Sequence, residues 1–503
     1  MVTTELNRLV IVSNRLPVVI NRIPGGNWQV APGAGGLVTA LAPVLRNRRG
    51  IWIGWPGLVY EDGLDFTDLM EEAVQQSGFE LKPVMLSTWE KENYYRGFAN
   101  EIIWPLFHDL QSRCKFLPEY WRAYRTVNHK FCEVITHNIR MDDFVWVHDY
   151  HLMSVARELR TKGLRNRLGF FLHIPFPPLD IFLKLPWRFQ ILRHLLDYDL
   201  IGFQSARDRR NFVGCLRALV KDAVATGKGS RTVVKRDARE VMLGVFPISV
   251  DYNDFAQLAE SQEVSDTAWY IHENHPKQKI ILGVDRLDYT KGIPEKLMAY
   301  REALRRFPEL QGKIVLVQVV VPSRWEIPHY NLLKEEIERL VGEIHGEFTR
   351  PGWVPLHFIY RHLDRPELLS YYRTAEIMLT TPWKDGMNLV AKEYCVCNIE
   401  QNGVLILSEF AGATAQMHRH SLLVNPHDIE GVAGAINKAF HMPQEERANR
   451  MSRMRRAIKR QDVFWWVNSF LQAAIAKRLD SYPVVDEWMP TAEPLEGEAR
   501  GYA

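Results

Sequence analysis

Cysteine is scarce in this 503-residue chain. The five residues Cys114, Cys132, Cys215, Cys395 and Cys397 are scattered and odd in number. That argues against a disulfide framework and fits free buried thiols in a reducing compartment. Cys395 and Cys397 are separated by a single residue, which is neither a zinc nor a redox spacing. An excess of one charge sign is also missing. The 63 basic and 60 acidic residues leave a formal net charge of +3, so bulk charge gives no support for a nucleic-acid or membrane partner. No apolar stretch approaches the ~20 residues needed to span a bilayer, and Met1 to Leu9 carries no apolar signal core. Internal repeats and long low-complexity tracts are absent as well.

What remains is the composition of a globular protein of about two or three domains. Short apolar runs alternate with helical patterns through most of the chain. Arg8 to Ser13, Ile51 to Trp55, Phe144 to Val147, Gly169 to Leu172, Asp199 to Gln204 and Val241 to Ile248 read as strands of a first half. The segment 227–235 between the last two reads as a polar loop. A charged helical passage from Tyr252 to Lys277 leads to a second series. Its strands are Ile280 to Val284, Lys313 to Val321, Val354 to Tyr360, Ile377 to Thr380, Gly403 to Ser408 and Ser421 to Pro426, with a helix start over 409–415. The alternation predicts an α/β protein of two doubly wound, mostly parallel domains sharing a cleft. Met451, Met454 and Ile458 mark the buried side of a basic amphipathic helix over 447–460. A helix from Val463 to Leu479, rich in aromatic residues, should pack on the body. The divisions expected are 1–250, 251–480 and a weakly ordered tail, 481–503.

Polar clusters stand at the carboxyl ends of several strands. After Thr380, the run Thr381-Pro382-Trp383-Lys384-Asp385-Gly386-Met387-Asn388 leads into a helix from Leu389, with Asn388 as N-cap and Glu393 about one turn inside. Such a turn can offer backbone N–H groups to anions or sugar oxygens. After Val284 come Arg286 and Lys291, a fork and a point charge suited to a diphosphate. Arg15 follows the first strand, and Gly33-Ala34-Gly35-Gly36 precedes a helix. Strand ends also deliver His148, Asp149 and His173, and residues 93–105 are densely aromatic. Each has a plainer reading: a capped surface turn, a salt-bridged face with Asp285 and Asp288, an ordinary tight turn, buried histidines, and core aromatics. The glycine loop is neither a nucleoside triphosphatase P-loop nor a clean dinucleotide fingerprint. The His-Asp-x-His cluster lacks further ligands at a metal-site spacing.

In combination and in order, these pieces resemble the trehalose-6-phosphate synthases, retaining nucleotide-sugar glycosyltransferases of the GT-B fold. The matching residues are Ser13-Asn14-Arg15, Ala34-Gly35-Gly36-Leu37, Tyr95, Trp104-Pro105, His148-Asp149-Tyr150-His151 and Phe171 to Pro177. In the second half they are Arg286 to Gly292, Pro322-Ser323-Arg324, Asp385 to Tyr394 and Ser408 to Ala413, so the likeness covers roughly 8–475. The resemblance implies two facing Rossmann-like domains, an N-terminal one for the acceptor and a C-terminal one for the nucleotide sugar, with a C-terminal helix packing back.

The implied reaction moves glucose from a nucleotide donor, UDP-glucose first among the candidates, to glucose 6-phosphate, with retention. The leaving phosphate takes the acceptor proton. Arg286, Lys291, His173 and Asp385 are the implied catalytic residues. Gly35, Gly36, Gly386, Met387, Asn388, Leu389, Val390 and Glu393 join Arg286, Lys291 and Asp385 in binding the donor. Arg15, Trp55, Tyr95, Trp104, Asp149 and Arg324 are implied for the acceptor. No metal or cofactor is implied, because the two cations can neutralise the leaving charge. The expected partners are the two substrates alone, in the cytoplasm, and a homo-oligomer is compatible with the chain. Three alternatives stay open: a glucosylglycerol-phosphate synthase using glycerol 3-phosphate, a pseudo-glycosyltransferase coupling cyclitols, and a catalytically silent sugar-phosphate sensor.

Overall fold

The computed structural model describes residues 8–22, 28–33, 36–48, 50–60, 67–227, 232–323, 328–476 and 488. Two sheets dominate these residues. The first has nine strands, in the order Glu80–Pro83, Ile51–Trp55, Leu9–Arg15, Phe144–His148, Arg167–Phe171, Leu200–Phe203, Arg239–Val245, Thr232–Arg236 and Ala223–Thr226. The first seven run parallel, and the last two strands are joined by antiparallel pairings. The second has six parallel strands, in the order Leu356–Ile359, Ile314–Val321, Lys279–Arg286, Ile377–Thr380, Val404–Ser408 and Leu422–Val424. Central strands such as Leu9–Arg15 and Ile314–Val321 are buried along nearly their whole length, which is why they read as unbroken apolar runs.

In both sheets the earliest strand lies in the interior and the chain winds outward first on one side, then on the other. The direction reverses between Leu9–Arg15 and Phe144–His148, and again between Lys279–Arg286 and Ile377–Thr380. Such a reversal splays the flanking loops apart and leaves a crevice at the carboxyl ends of the strands. The two crevices face each other.

The last helix, Val463–Ala476, leaves the second lobe and lies on the first sheet. Phe470 stacks on Trp146 with ring centres 4.2 Å apart, and Trp466 lies 5.1 Å from the same indole. Strand glycines make room for it. A Cβ on Gly169 or Gly202 would stand 2.9 or 2.8 Å from the Phe470 ring. Arg167 donates to the Ala474 and Ile475 carbonyls at 2.8 and 2.6 Å, satisfying acceptors that the helix end leaves open. Met451, Met454 and Ile458 form the buried side of the helix Gln444–Arg460, as their spacing predicts.

Two local expectations are corrected, and one element is new. Thr232–Arg236 is a strand, not polar loop: Thr232 and Val234 are buried in alternation, and the strand pairs with Ala223–Thr226. Val18–Arg22 and Trp28–Pro32 form an unanticipated hairpin. Residues 409–413 are a turn, and the helix there is only Thr414–Met417. The Ser408 hydroxyl accepts the Phe410 N–H at 3.1 Å and so competes with helix formation. The expected tail lies outside the described residues except Trp488, which borders a groove with Pro175, Arg207, Lys384 and Phe410.

Candidate active site between the two lobes

The turn after Ile377–Thr380 is built by its own side chains. Asn388 caps the helix Leu389–Cys397 with φ 76°, accepting the Ala391 N–H at 3.0 Å, while its amide donates to Asp385 Oδ2 at 3.1 Å. The 409–413 turn lies alongside. Gly412 N–H donates to the Asp385 carbonyl at 3.1 Å and Ala413 N–H to the Met387 carbonyl at 2.7 Å. A Cβ on Gly386 would stand 2.1 Å from the His173 carbonyl of the other lobe, so only glycine lets the lobes meet here.

Beside this turn, Asp288 accepts the Thr290 N–H at 3.0 Å and starts the short helical turn Tyr289–Lys291. That turn brings Lys291 Nζ to 2.5 Å from Asp385 Oδ2. The salt-bridged-face reading of these cations does not hold for Lys291. Asp285 is instead buried against Lys296 at 2.5 Å, and Gln318 donates to it at 3.0 Å. Burial would raise the Asp385 carboxyl, but the charge and hydrogen bond of Lys291, helped by His108 and Asn388, hold it below the usual carboxylate range. Arg286 is exposed to the cavity at the end of its strand, with its guanidinium 5.9 Å from the Trp104 ring centre.

The first lobe faces these groups with histidines and aromatic rings. His148 Nδ1 and His173 Nε2 are 3.1 Å apart and share one proton. Burial lowers His173 to about 3 and His148 well below its ordinary value, so both rings are neutral at pH 7. Asp149 adopts φ 73°, a conformation rare outside glycine, and accepts the His173 N–H at 3.2 Å. Arg15 lies over Trp55 at 4.8 Å. Tyr94 and Tyr95 come from a π-helical stretch, Lys91–Ile103, a rare form that often marks functional sites. Tyr94 donates to Asn14 at 2.8 Å, and Tyr95 stacks on His151. Trp104 donates to Asp288 of the other lobe at 3.4 Å. His108, one turn later, donates from Nδ1 to the Trp104 carbonyl at 2.7 Å. Burial lowers it to about 4, which leaves Nε2 an acceptor.

One cavity of about 550 Å³ joins these groups. Nine of the residues implied for catalysis or substrate binding line it, Arg15, Tyr95, Trp104, Asp149, His173, Arg286, Lys291, Asp385 and Gly386, and so does the strand-end His148. Trp55 does not; it is buried beneath Arg15 and its indole N–H is taken by the Leu58 carbonyl at 2.7 Å. Met387 to Val390 form the turn and helix start behind Gly386. Glu393 sits one turn further in, accepting from Tyr372 Oη at 3.0 Å. Gly36 opens the helix Gly36–Arg48. Gly35 and Arg324 lie outside the described residues. Sequence reading missed Trp52 and His108. His108 carried a signal, since it stands one helical turn after Trp104 and so shares its face. A larger cavity, about 790 Å³, lies on the outer side of the second lobe between the helices Gln262–Glu273 and Arg365–Thr374, and contains none of these residues. Among the described residues, no helix is long and apolar enough to cross a membrane.

Two Rossmann-like lobes with opposed crevices, a cation pair on one and an arginine with aromatic rings on the other, define a GT-B glycosyltransferase. Comparison with known proteins places it more closely. The pattern of Glycosyltransferase family 20 matches residues 7–476. The trehalose-6-phosphate synthase of Mycobacterium leprae is 42% identical over 471 residues, 92% of this chain and 94% of that one. A structure described as trehalose-6-phosphate from E. coli bound with UDP-2-fluoro glucose superposes with TM-score 0.83 at 33% identity, covering 93% of this chain and 98% of that one. An α,α-trehalose-phosphate synthase (UDP-forming) from Burkholderia xenovorans, in complex with glucose-6-phosphate, gives TM-score 0.83 at 32% identity, covering 93% and 99%. The chain belongs to glycosyltransferase family 20.

Proposed function

We propose that this enzyme transfers glucose from a nucleotide-glucose donor, UDP-glucose by the likeness to the Burkholderia protein, to glucose 6-phosphate, with retention, giving α,α-trehalose 6-phosphate. One observation carries the reading. A single cavity has two separate cationic poles, Arg286 with Lys291 on the second lobe and Arg15 on the first. Two poles suit two phosphorylated substrates, a diphosphate and a monoester.

In this reading Arg286 and Lys291 hold the donor diphosphate. Lys291 keeps one N–H on Asp385 and has two left for phosphate oxygens. Glu393 takes the ribose diol. Asp385, with the backbone of Gly386, Met387, Asn388, Leu389 and Val390, takes the glucose hydroxyls, and neutral His173 faces the C6 hydroxyl. Arg15 and Arg324 take the acceptor phosphate with Tyr95. Trp104 and Asp149 line the acceptor sugar, and Trp55 supports Arg15 from below. Gly35 and Gly36 join in binding the donor. As the bond from glucose C1 to the diphosphate oxygen breaks, that oxygen gains the electron pair, and Arg286 and Lys291 stabilise its charge. The acceptor hydroxyl oxygen bonds to C1 from the same face, and its proton passes to the departing phosphate. The five cysteines, all unpaired, suit the reducing cytoplasm.

The test is the product. Incubation with UDP-glucose and glucose 6-phosphate, followed by NMR, should show an α,α-1,1 linkage. A β anomer would overturn retention, and a glycerol-linked product formed only from glycerol 3-phosphate would move the enzyme to the sister activity.

A further inference from the structure

Lys392, on the helix that Asn388 caps, is 1% exposed, and both hydrogen-bond acceptors that it meets are neutral. Its ammonium donates to the Ile248 carbonyl at 2.7 Å and to Gln416 Oε1 at 2.6 Å. Burial alone lowers it to about 7. A buried lysine without a carboxylate is costly, and an apolar side chain of the same length would fill the space without that cost. Packing therefore does not explain its presence.

Its partners lie where the chain passes between lobes. Ile248 belongs to the forward crossing, 246–251. Its N–H donates to Gln204 Oε1 at 2.9 Å, and Gln204 follows the first-lobe strand Leu200–Phe203. Val463 belongs to the return crossing, and its N–H donates to the Val250 carbonyl at 3.0 Å. Gln416, the second acceptor of Lys392, bonds Gln461 just before that crossing. Lys392 thus joins the helix that follows the Asp385 turn and carries Glu393 to the way out of the first lobe and, through Gln416 and Gln461, to the way back.

We propose that Lys392 is a positioning residue that couples occupancy of the nucleotide-sugar side of the cavity to closure of the two lobes. The inference rests on reading that cavity as the nucleotide-sugar site. Ligand-driven closure is a change of lobe orientation about such crossings, and a node bonded to one crossing directly and to the other through Gln416 and Gln461 can transmit it.

Two readouts test it in the full chain. Small-angle scattering follows the radius of gyration as uridine diphosphate is added, and steady-state kinetics separates donor from acceptor KM. Wild type should contract with nucleotide. Lys392→Met should contract less or not at all and raise donor KM about tenfold, the size of a typical coupling between two sites. A Lys392→Met protein with wild-type contraction and donor KM overturns the proposal. Should that variant fail to fold, Gln461→Leu, which cuts only the link to the return crossing, must shift both readouts in the same direction, and wild-type values for it overturn the proposal equally. Contraction does not require turnover. A wild type that contracts but forms no product overturns the proposed reaction and leaves this inference standing.

Discussion

Lys291 and Asp385 form the most consequential pair at the residue scale. Their 2.5 Å contact spans the crevice of the second lobe. Lys291→Ala removes a donor from the developing diphosphate charge and leaves Asp385 unpaired, so turnover should fall on the order of 100-fold or more in steady-state assays. Glu393 and Arg15 should separate the substrates. Glu393→Gln should raise donor KM by about tenfold with little change for the acceptor, as loss of one charged hydrogen bond does. Arg15→Ala should raise KM for the phosphorylated acceptor instead. A swap of these two effects, read from initial rates at varied substrate, would reverse the assignment of the lobes. The neutral histidines set a pH dependence. His108 has its ordinary value of 6.5 in the unfolded chain and about 4 in the folded one. Its share of stability is complete above pH 6.5 and is lost as the pH falls, because only the unfolded chain then takes up the proton. Between pH 6.5 and about pH 5 that share is about 2 kcal/mol. Chemical denaturation at both pH values should show the drop, and His108→Phe should lessen it.

At the scale of elements, the helix Val463–Ala476 ties the end of the chain to the first sheet. Phe470 is fully buried against Trp146, Gly169 and Gly202. Phe470→Ala should cost about 3–5 kcal/mol in equilibrium unfolding, since the strand glycines offer no side chain to fill the gap. The same scale shows what was legible in the sequence. Parallel strands buried on both faces read as apolar runs, and their polar ends mark the crevices, so the sequence alone puts Asp385, Arg286, His148 and His173 after strands. The Thr232–Arg236 strand was hidden because its five residues alternate buried and more exposed positions one strand in from the sheet edge, and so make no apolar run. The 409–413 turn was hidden because Ser408, an ordinary strand end in sequence, caps it through a local hydrogen bond. The π-helical stretch was hidden because its aromatic residues point both into the core and into the cavity: Tyr94 is fully buried and Tyr95 lines the site.

At the scale of the whole molecule, function follows from two reversals of strand order facing one another. Arg15 and Asp385 are 370 positions apart in sequence yet line one cavity. No local pattern contains that proximity. The order of motifs along the chain indicated it only through a family likeness, and contacts such as Gly386 on the His173 carbonyl had no sequence signal beyond the glycine itself. Lys384 with Asp109 at 2.6 Å and Trp104 with Asp288 add further bonds between lobes at the mouth of the cleft. Double substitution of Lys384 and Asp109 by alanine should therefore loosen closure more than it lowers stability, because a partly exposed ion pair contributes on the order of 1 kcal/mol or less. Calorimetric unfolding beside nucleotide-induced contraction separates the two effects. The most direct measurement is nucleotide release from UDP-, ADP- and GDP-glucose, each with glucose 6-phosphate, glycerol 3-phosphate or no acceptor. The proposed reaction predicts release with glucose 6-phosphate and negligible release without acceptor. Release with glycerol 3-phosphate alone, or no release with any pair, would contradict the proposed reaction.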